Sequence, residues 1–299
     1  MPVSGAARFA LLSVAAALAT MGLKLLAWKL TGSVGLLSDA LESGVNLSAA
    51  LFAFWALRLA VQPPDAEHAH GHGKAEYFAG GFEGAMIIAA AAAIAWAAIP
   101  RLWDPKPIVQ AGPGLLISVL ASGINGAVAL VLRRAAARYH SAALAADADH
   151  LMSDVWTSVG VVLAVAVVAL GGWLWLDPLI ALVVAVVILR TGWRVLHDAA
   201  QGLMDVSWPE AERAVLDTVL APYRAQGLAF HALRTRRAGA RRFVSMHVLV
   251  PGAWTVQRGH DLVEAVEAQV RARFAPVTVF THLEPIEDPA AYDEDQPDR

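Results

Sequence analysis

Six long, predominantly apolar stretches constrain this chain more than any other feature of its sequence. They cover residues 9–28, 34–61, 78–102, 115–132, 143–170 and 174–195, and a helix needs roughly 20 such residues to cross the hydrocarbon core of a bilayer. With 57% hydrophobic against 16% charged residues over 299 positions, the chain lies outside the range of soluble globular domains. The reading is a transmembrane domain of six helices over residues 1–204. The first stretch has no small-residue cleavage site behind it and leads straight into the next, so it is expected to be retained. An even number of spans puts both termini on one side. Arg133, Arg134, Arg138, Arg190 and Arg194 fall in turns or helix ends on that side, against Lys29, Arg101 and Lys106 on the other, and the positive-inside rule makes the termini cytosolic. Lys24 lies inside the first span near its outer end and is expected to snorkel toward the interface.

After Asp205 the pattern becomes that of a soluble domain. An amphipathic helix over 209–226 precedes alternating strands over 228–236 and 242–250, a helix over 256–274 and a strand over 277–283. In the second helix Leu262, Val263, Val266 and Val270 recur at helical spacing. The order αββαβ predicts a ferredoxin-like α+β domain, metallochaperone-like and cytosolic, over residues 205–286. The acidic, Pro-containing tail 287–299 has almost no apolar content and is expected to be disordered.

The absence of cysteine excludes disulfides, thiolate metal sites and Cys nucleophiles, so metal chemistry here must use His, Asp, Glu or Asn. A net charge of -3 gives no sign of nucleic acid binding, and no Walker-type glycine loop marks a nucleotide site.

Ionisable residues inside spans are expensive and are functional candidates until a partner is found. Here they form two stripes. The second span carries Asp39, Glu42 and Asn46 at i, i+3 and i+7, one helical face. The fifth carries Asp147, His150 and Asp154 at the same spacing. Glu42 and Asn46 against His150 and Asp154 offer four O/N ligands, which suit tetrahedral zinc without thiolates; the alternative is a polar helix pair that only holds the bundle together. Asp39 and Asp147 sit about a turn nearer one end, where an access path or a helix-end role fits better than ligation. Glu83 in the third span and Asn125 in the fourth are further polar residues at depth. Glu83 fits a proton carrier or a structural hydrogen-bonding group.

The loop over 62–77 contains Asp65, His68 and His72, spaced so that they can close on one metal, within a His-rich tract that is weak evidence alone. The small domain adds His231, His247, His260, His282 and Glu284.

These elements and their phrases resemble the cation diffusion facilitator family over essentially residues 8–285. The phrases are Gly32-Ser33-Val34, Ser38-Asp39-Ala40-Leu41-Glu42-Ser43, Gly71-His72-Gly73-Lys74-Ala75-Glu76, Asp147-Ala148-Asp149-His150-Leu151-Met152-Ser153-Asp154, Leu203-Met204-Asp205 and Leu233-Arg234-Thr235-Arg236. The resemblance implies a homodimeric antiporter, not an enzyme, that moves a divalent metal such as Zn2+ out of the cytosol against protons, and the expected location is a bacterial inner membrane. It implies a transport site of Glu42, Asn46, His150 and Asp154, a loop site of Asp65, His68 and His72, and sites in the small domain built from His231, His247, His260, His282 and Glu284. It also implies a charge pair, Lys74 with Asp205, that helps hold the dimer. One departure bears on the cargo. Zinc members of the family carry Asp or His together with Asp where this chain has Glu42 and Asn46, which keeps manganese, iron, cobalt, nickel and cadmium as alternatives, while His150 favours zinc. An intramembrane metalloenzyme would need a motif such as HExxH, which is absent. A non-transporting sensor or scaffold leaves the two polar stripes without a purpose.

Overall fold

The computed structural model describes residues 5–60, 62–107, 110–139, 142–239 and 241–295. Its contacts divide into two units, residues 1–54 with 80–196 and residues 55–79 with 197–299. The helices α1 (Gly5–Thr31), α2 (Val34–Ala60), α3 (Ala75–Trp103), α4 (Ala111–Tyr139), α5 (Ala142–Gly171) and α6 (Leu176–Leu203) supply the first unit, with the ends of α2, α3 and α6 belonging to the second. Most run past the apolar stretch that announced them, because hydropathy measures the length inside hydrocarbon and not the length of the helix. Among the described residues, α1, α3, α4, α5 and α6 combine the length and apolarity needed to cross a membrane. Helix α2 has comparable length, 27 residues, but Asp39, Glu42 and Arg58 dilute its hydropathy. Large apolar side chains point outward, Leu170 at 90% and Trp96 at 84% exposure, as a lipid-facing surface requires.

At one end of the bundle the chain turns from α1 to α2 through Gly32, whose φ of +65° an L side chain rarely adopts. The first N–H groups of α2 lack intrahelical acceptors. Asp177, on the first turn of α6 and 4% exposed, accepts from Ser33 Oγ at 2.5 Å and from Val34 N at 2.9 Å, and Arg101 of α3 donates to the Gly32 carbonyl. Further along, α3 and α6 approach closely through small residues. A Cβ at Gly84 would stand 2.7 Å from Leu196 N, and one at Gly192 2.8 Å from Ile87 Cγ2.

The expectation for Lys24 is corrected here. Its side chain is 2% exposed and turned into the bundle, where Nζ donates to Asp39 Oδ1 at 2.8 Å and Ser43 Oγ at 2.9 Å. A buried carboxylate on the neighbouring helix offers an ammonium more than the distant interface does.

In the second unit α7 (Glu210–Arg224), β1 (Ala229–Ala238), β2 (Arg241–Val250), α8 (Val256–Phe274) and β3 (Val277–Pro285) give the αββαβ order of a ferredoxin-like domain. The sheet order is β1-β2-β3, with β1 antiparallel and β3 parallel to β2. Strand alternation sends Val244, Met246, Val248 and Val250 into a core with Leu216 and Leu220 of α7 and Val266 and Val270 of α8. Each such side chain contributes about 1.5–3 kcal/mol by burial. Thr255 caps α8 by accepting from Arg258 N at 3.3 Å. The tail, expected to be disordered over 287–299, instead forms a 3-10 turn over Pro289–Asp295, with Ala291 buried and Tyr292 Oη donating to Ile286 O at 3.1 Å; residues 296–299 lie outside the described residues.

Candidate metal centres

Within the bundle, α2 and α5 meet at two polar rungs. Asn46 Nδ2 donates to Asp154 Oδ1 at 3.3 Å, and Ser158 Oγ donates to Asp39 Oδ1 at 2.8 Å. Asp154 and Ser158 are one turn apart on α5, as Asp39 and Glu42 are on α2, so Glu42 lies between the rungs on the stripe that faces α5. Asp154 is 9% exposed, and Glu42 and Asn46 are half-buried. The side chains of Asp147 and His150 lie outside the described residues. The Lys24 ammonium and Ser158 hydroxyl occupy Asp39, which gives that carboxylate structural partners at the far rung. Asn125 is 2% exposed, and its Oδ1 accepts no hydrogen bond among the described residues. Glu83 lines a cavity of about 240 Å³ together with Glu42 and Asn46.

The loop brings together the three residues its spacing singled out. His68 Nδ1 lies 3.1 Å from Asp65 Oδ1, His72 Nε2 3.3 Å from Asp65 Oδ2, and the two rings are 4.4 Å apart. Their ligand atoms all fall within 4.8 Å of one another. Asp65 Oδ1 also accepts from the backbone N–H of His68 at 2.6 Å and of Glu67 at 3.0 Å, a turn that presents the carboxylate. The His68 backbone bond holds the Asp65 carboxyl below its usual range. Lys74, just beyond, pairs with Asp205 at 3.0 Å and donates to Leu203 O at 3.2 Å. Arg236 joins this pair at 3.4 Å from Asp205 Oδ1, a partner that sequence reasoning passed over although it stands in the Leu233–Arg236 phrase.

On the small domain's sheet, cross-strand register sets His231 opposite His247 and His247 opposite His282, three histidines in a row on the face turned away from the core. Glu284, two residues beyond His282, shares that face. Its Oε2 lies 2.8 Å from His231 Nε2 and its Oε1 3.2 Å from His247 Nδ1. His231, His247 and Glu284 have their ligand atoms within 4.8 Å of one another. His282 stands with its ring 4.9 Å from that of His247, and His260 is exposed on α8; the compact set includes neither of them. All these donors are imidazole nitrogens and carboxylate or amide oxygens, the types that divalent first-row metals accept.

Fold and clusters together define a class: a polytopic membrane protein with a small α+β domain and clustered nitrogen and oxygen donors of the types that divalent cations accept. Comparison with known proteins gives that class its family. Residues 10–204 match the family model described as cation efflux transmembrane domain, and residues 209–286 match that described as cation efflux protein, cytoplasmic domain. An uncharacterized transporter, sll1263, from Synechocystis is 55% identical over 95% of this chain and 92% of its own length. The cation-efflux pump FieF of Shewanella oneidensis is 32% identical over 92% of each chain. A solved metal-bound C-terminal domain of the CzcD transporter from Thermotoga maritima is 25% identical over 27% of this chain and 99% of that one, with a TM-score of 0.25. The chain belongs to the cation efflux, or cation diffusion facilitator, family, whose members are membrane transporters and not enzymes.

Proposed function

We propose that this cation efflux protein is an antiporter that exports a divalent metal, Zn2+ foremost, from the cytosol in exchange for protons, working as a homodimer in a bacterial inner membrane with both termini cytosolic. The observation that carries the reading is the contact between the polar stripes of α2 and α5, Asn46 to Asp154 at 3.3 Å. Glu42, Asn46, His150 and Asp154 are the proposed transport ligands. A metal ligand must be deprotonated to bind, so loading from the cytosol releases protons from Glu42, His150 or Asp154. When the bundle opens outward, external protons retake the same groups and expel the ion. Opposite movements are then coupled by competition for one set of atoms, with no nucleotide needed. Asp39, Asp147 and Glu83 border this set as groups of the access and proton path.

The loop residues Asp65, His68 and His72 form a second proposed metal site. His231, His247 and Glu284, joined by His282 and by His260 across a homodimer, form a regulatory one. Metal there draws two small domains together, and Lys74 with Asp205 anchors the arrangement. The neutral Asn46 leaves Mn2+, Fe2+, Co2+, Ni2+ and Cd2+ as alternative cargoes; the imidazole of His150 favours zinc among them.

The test is flux in proteoliposomes that hold an internal pH dye and an internal zinc dye. Wild type exchanges zinc for protons in opposite directions, and D154A and H150A fall to the protein-free level. Wild-type flux in both variants removes the proposal.

A further inference from the structure

Among the described residues, Glu83 is a carboxylate within the apolar span of α3 that takes no part in the α2–α5 contact. It is the ninth residue of α3 (Ala75–Trp103), about 12 Å along the helix from its start at 1.5 Å per residue. No hydrogen bond or ion pair reaches its side chain among the described residues. An ionised group at that depth without a partner is costly, so its surroundings matter. Gly84, its neighbour, packs on Leu196 of α6, and Gly192 of α6 packs on Ile87 of α3. This close approach fixes Glu83 on α3 and Thr191 on α6 at the wall of the same cavity, whose other polar lining is Glu42 and Asn46 of α2. The cavity measures about 240 Å³. With a water's share of liquid volume at about 30 Å³, there is room for a cation that still carries part of its hydration shell.

Depth sets an order along this cavity. Asn46 and Glu42 lie 14 and 18 residues before the end of α2 at Ala60, about 21 and 27 Å at the same rise. Glu83, about 12 Å from the α3 end of the same loop, is nearer the loop side than either. Charge adds a second constraint. Lys24 pairs with Asp39 within the bundle, and Asn46 is uncharged, so α2 offers the cavity a single acidic group, Glu42. Glu83 supplies a second carboxyl group.

We infer that Glu83 is a specificity-determining residue of the transport path, the carboxylate that draws a hydrated divalent cation into the cavity between α2, α3 and α6 and supplies there the negative charge that Asn46 lacks. The inference rests on the proposed transport site and adds α3 and α6 to it. Its consequence is a specific rescue. Glu83→Gln removes the charge with little change of shape and raises KM for Zn2+ by at least about tenfold, the lower end of what focusing by like charges in a cleft gives, with a smaller effect on kcat. Asn46→Asp restores a carboxyl group to the same cavity, so N46D/E83Q brings KM most of the way back to the wild-type value, whereas a structural hydrogen-bonding role for Glu83 predicts no such recovery.

The experiment measures initial zinc flux of the full-length protein in proteoliposomes for wild type, E83Q, E83D and N46D/E83Q, with thermal unfolding of each variant in detergent and D154A alongside. Raised KM in E83Q, a smaller rise in E83D and recovery in the double variant support the assignment. A wild-type KM in E83Q, or a double variant no better than E83Q, overturns it. Should E83Q be unstable, the charge-retaining E83D decides: a KM within a few-fold of wild type supports a role for charge, and one raised about tenfold or more counts against it. If D154A also transports normally, the transport site itself fails; if D154A is dead while E83Q is normal, only the inference about Glu83 does.

Discussion

Replacing Lys24 by methionine tests the packing of the bundle at its most demanding point. Lys24 and Asp39 are each 2% exposed, and the ammonium makes two hydrogen bonds, at 2.8 Å to Asp39 and 2.9 Å to Ser43. Methionine keeps the length and apolar stem of the side chain, so little cavity results. What changes is charge: Asp39 is left with Ser158 Oγ as its donor, and its Oδ2 has no hydrogen-bond partner among the described residues to begin with. Removing one member of a buried pair costs about 3–5 kcal/mol, because the other stays buried and uncompensated. At about 2–4 °C per kcal/mol for domains of this order of size, the lower figure of about 3 kcal/mol corresponds to an apparent Tm lower by about 6–12 °C. The assay is thermal unfolding in detergent at a fixed scan rate for K24M, D39N and K24M/D39N. Because D39N removes the charge that K24M leaves unpaired, the double variant is expected to recover more than half of the K24M loss. A K24M shift within about 2 °C of wild type would mean that the side chain lives at the interface, as the sequence alone suggests, and single effects that simply add in the double variant would mean that the two residues do not interact.

Two further predictions concern the small domain. Zinc titration by calorimetry should show E284Q losing one class of sites, with a fall in affinity beyond the about 10–100-fold typical of groups behind the metal ligands, while binding at the loop persists. Glu212 accepts a hydrogen bond from Arg237 and lies 3.3 Å from Arg242 Nε, and the Arg237 bond above all holds its carboxyl below the usual value of 4.5. A carboxyl depressed in the folded state contributes stability that is fully present above the unfolded value and is lost as pH falls through the folded one. The stability difference between wild type and E212Q, followed by circular dichroism, should therefore be constant above about pH 5 and close as the solution is acidified below 4.5; a gap that widens on acidification would contradict the assignment.

Much of the architecture was legible because its causes are local. Apolar length located the helices, and the αββαβ order followed from alternation and helical spacing, with helix 256–274 agreeing with α8 (Val256–Phe274) residue for residue. Helix ends outside the hydrocarbon were not legible from hydropathy. The polar turns His197–Leu203 continue α6 where the apolar stretch stops at 195. The inward turn of Lys24 was hidden because a single sequence does not say which face of α1 meets α2. The same limit applies to Asp177, which the sequence reading did not single out and whose partners, Ser33 and Val34, are 144 and 143 residues away.

The sheet site shows the boundary most clearly. Its residue types were visible, but its geometry depends on a bulge. Between Arg234 opposite Ser245 and His231 opposite His247 the register shifts by one residue, with Ala232 at a φ of 48°. Without that extra residue Ala232 would stand opposite His247 and His231 would point to the other face. Alanine carries no signal for a left-handed backbone, so sequence alone could not distinguish His231 beside Glu284 from His231 in the core. His260, which shares the domain's composition but not its compact set of ligand atoms, marks the converse limit: residue type alone does not make a site.

The central claim is that α2 and α5 hold one divalent ion between them. Anomalous diffraction at the zinc edge from crystals of the full-length protein grown with Zn2+ tests it directly. The account predicts a peak at about 2.0–2.2 Å from carboxylate oxygens of Glu42 and Asp154 and from an imidazole nitrogen of His150, absent in D154A. Peaks confined to the loop and to the sheet, with nothing between the two helices in wild type, would contradict it.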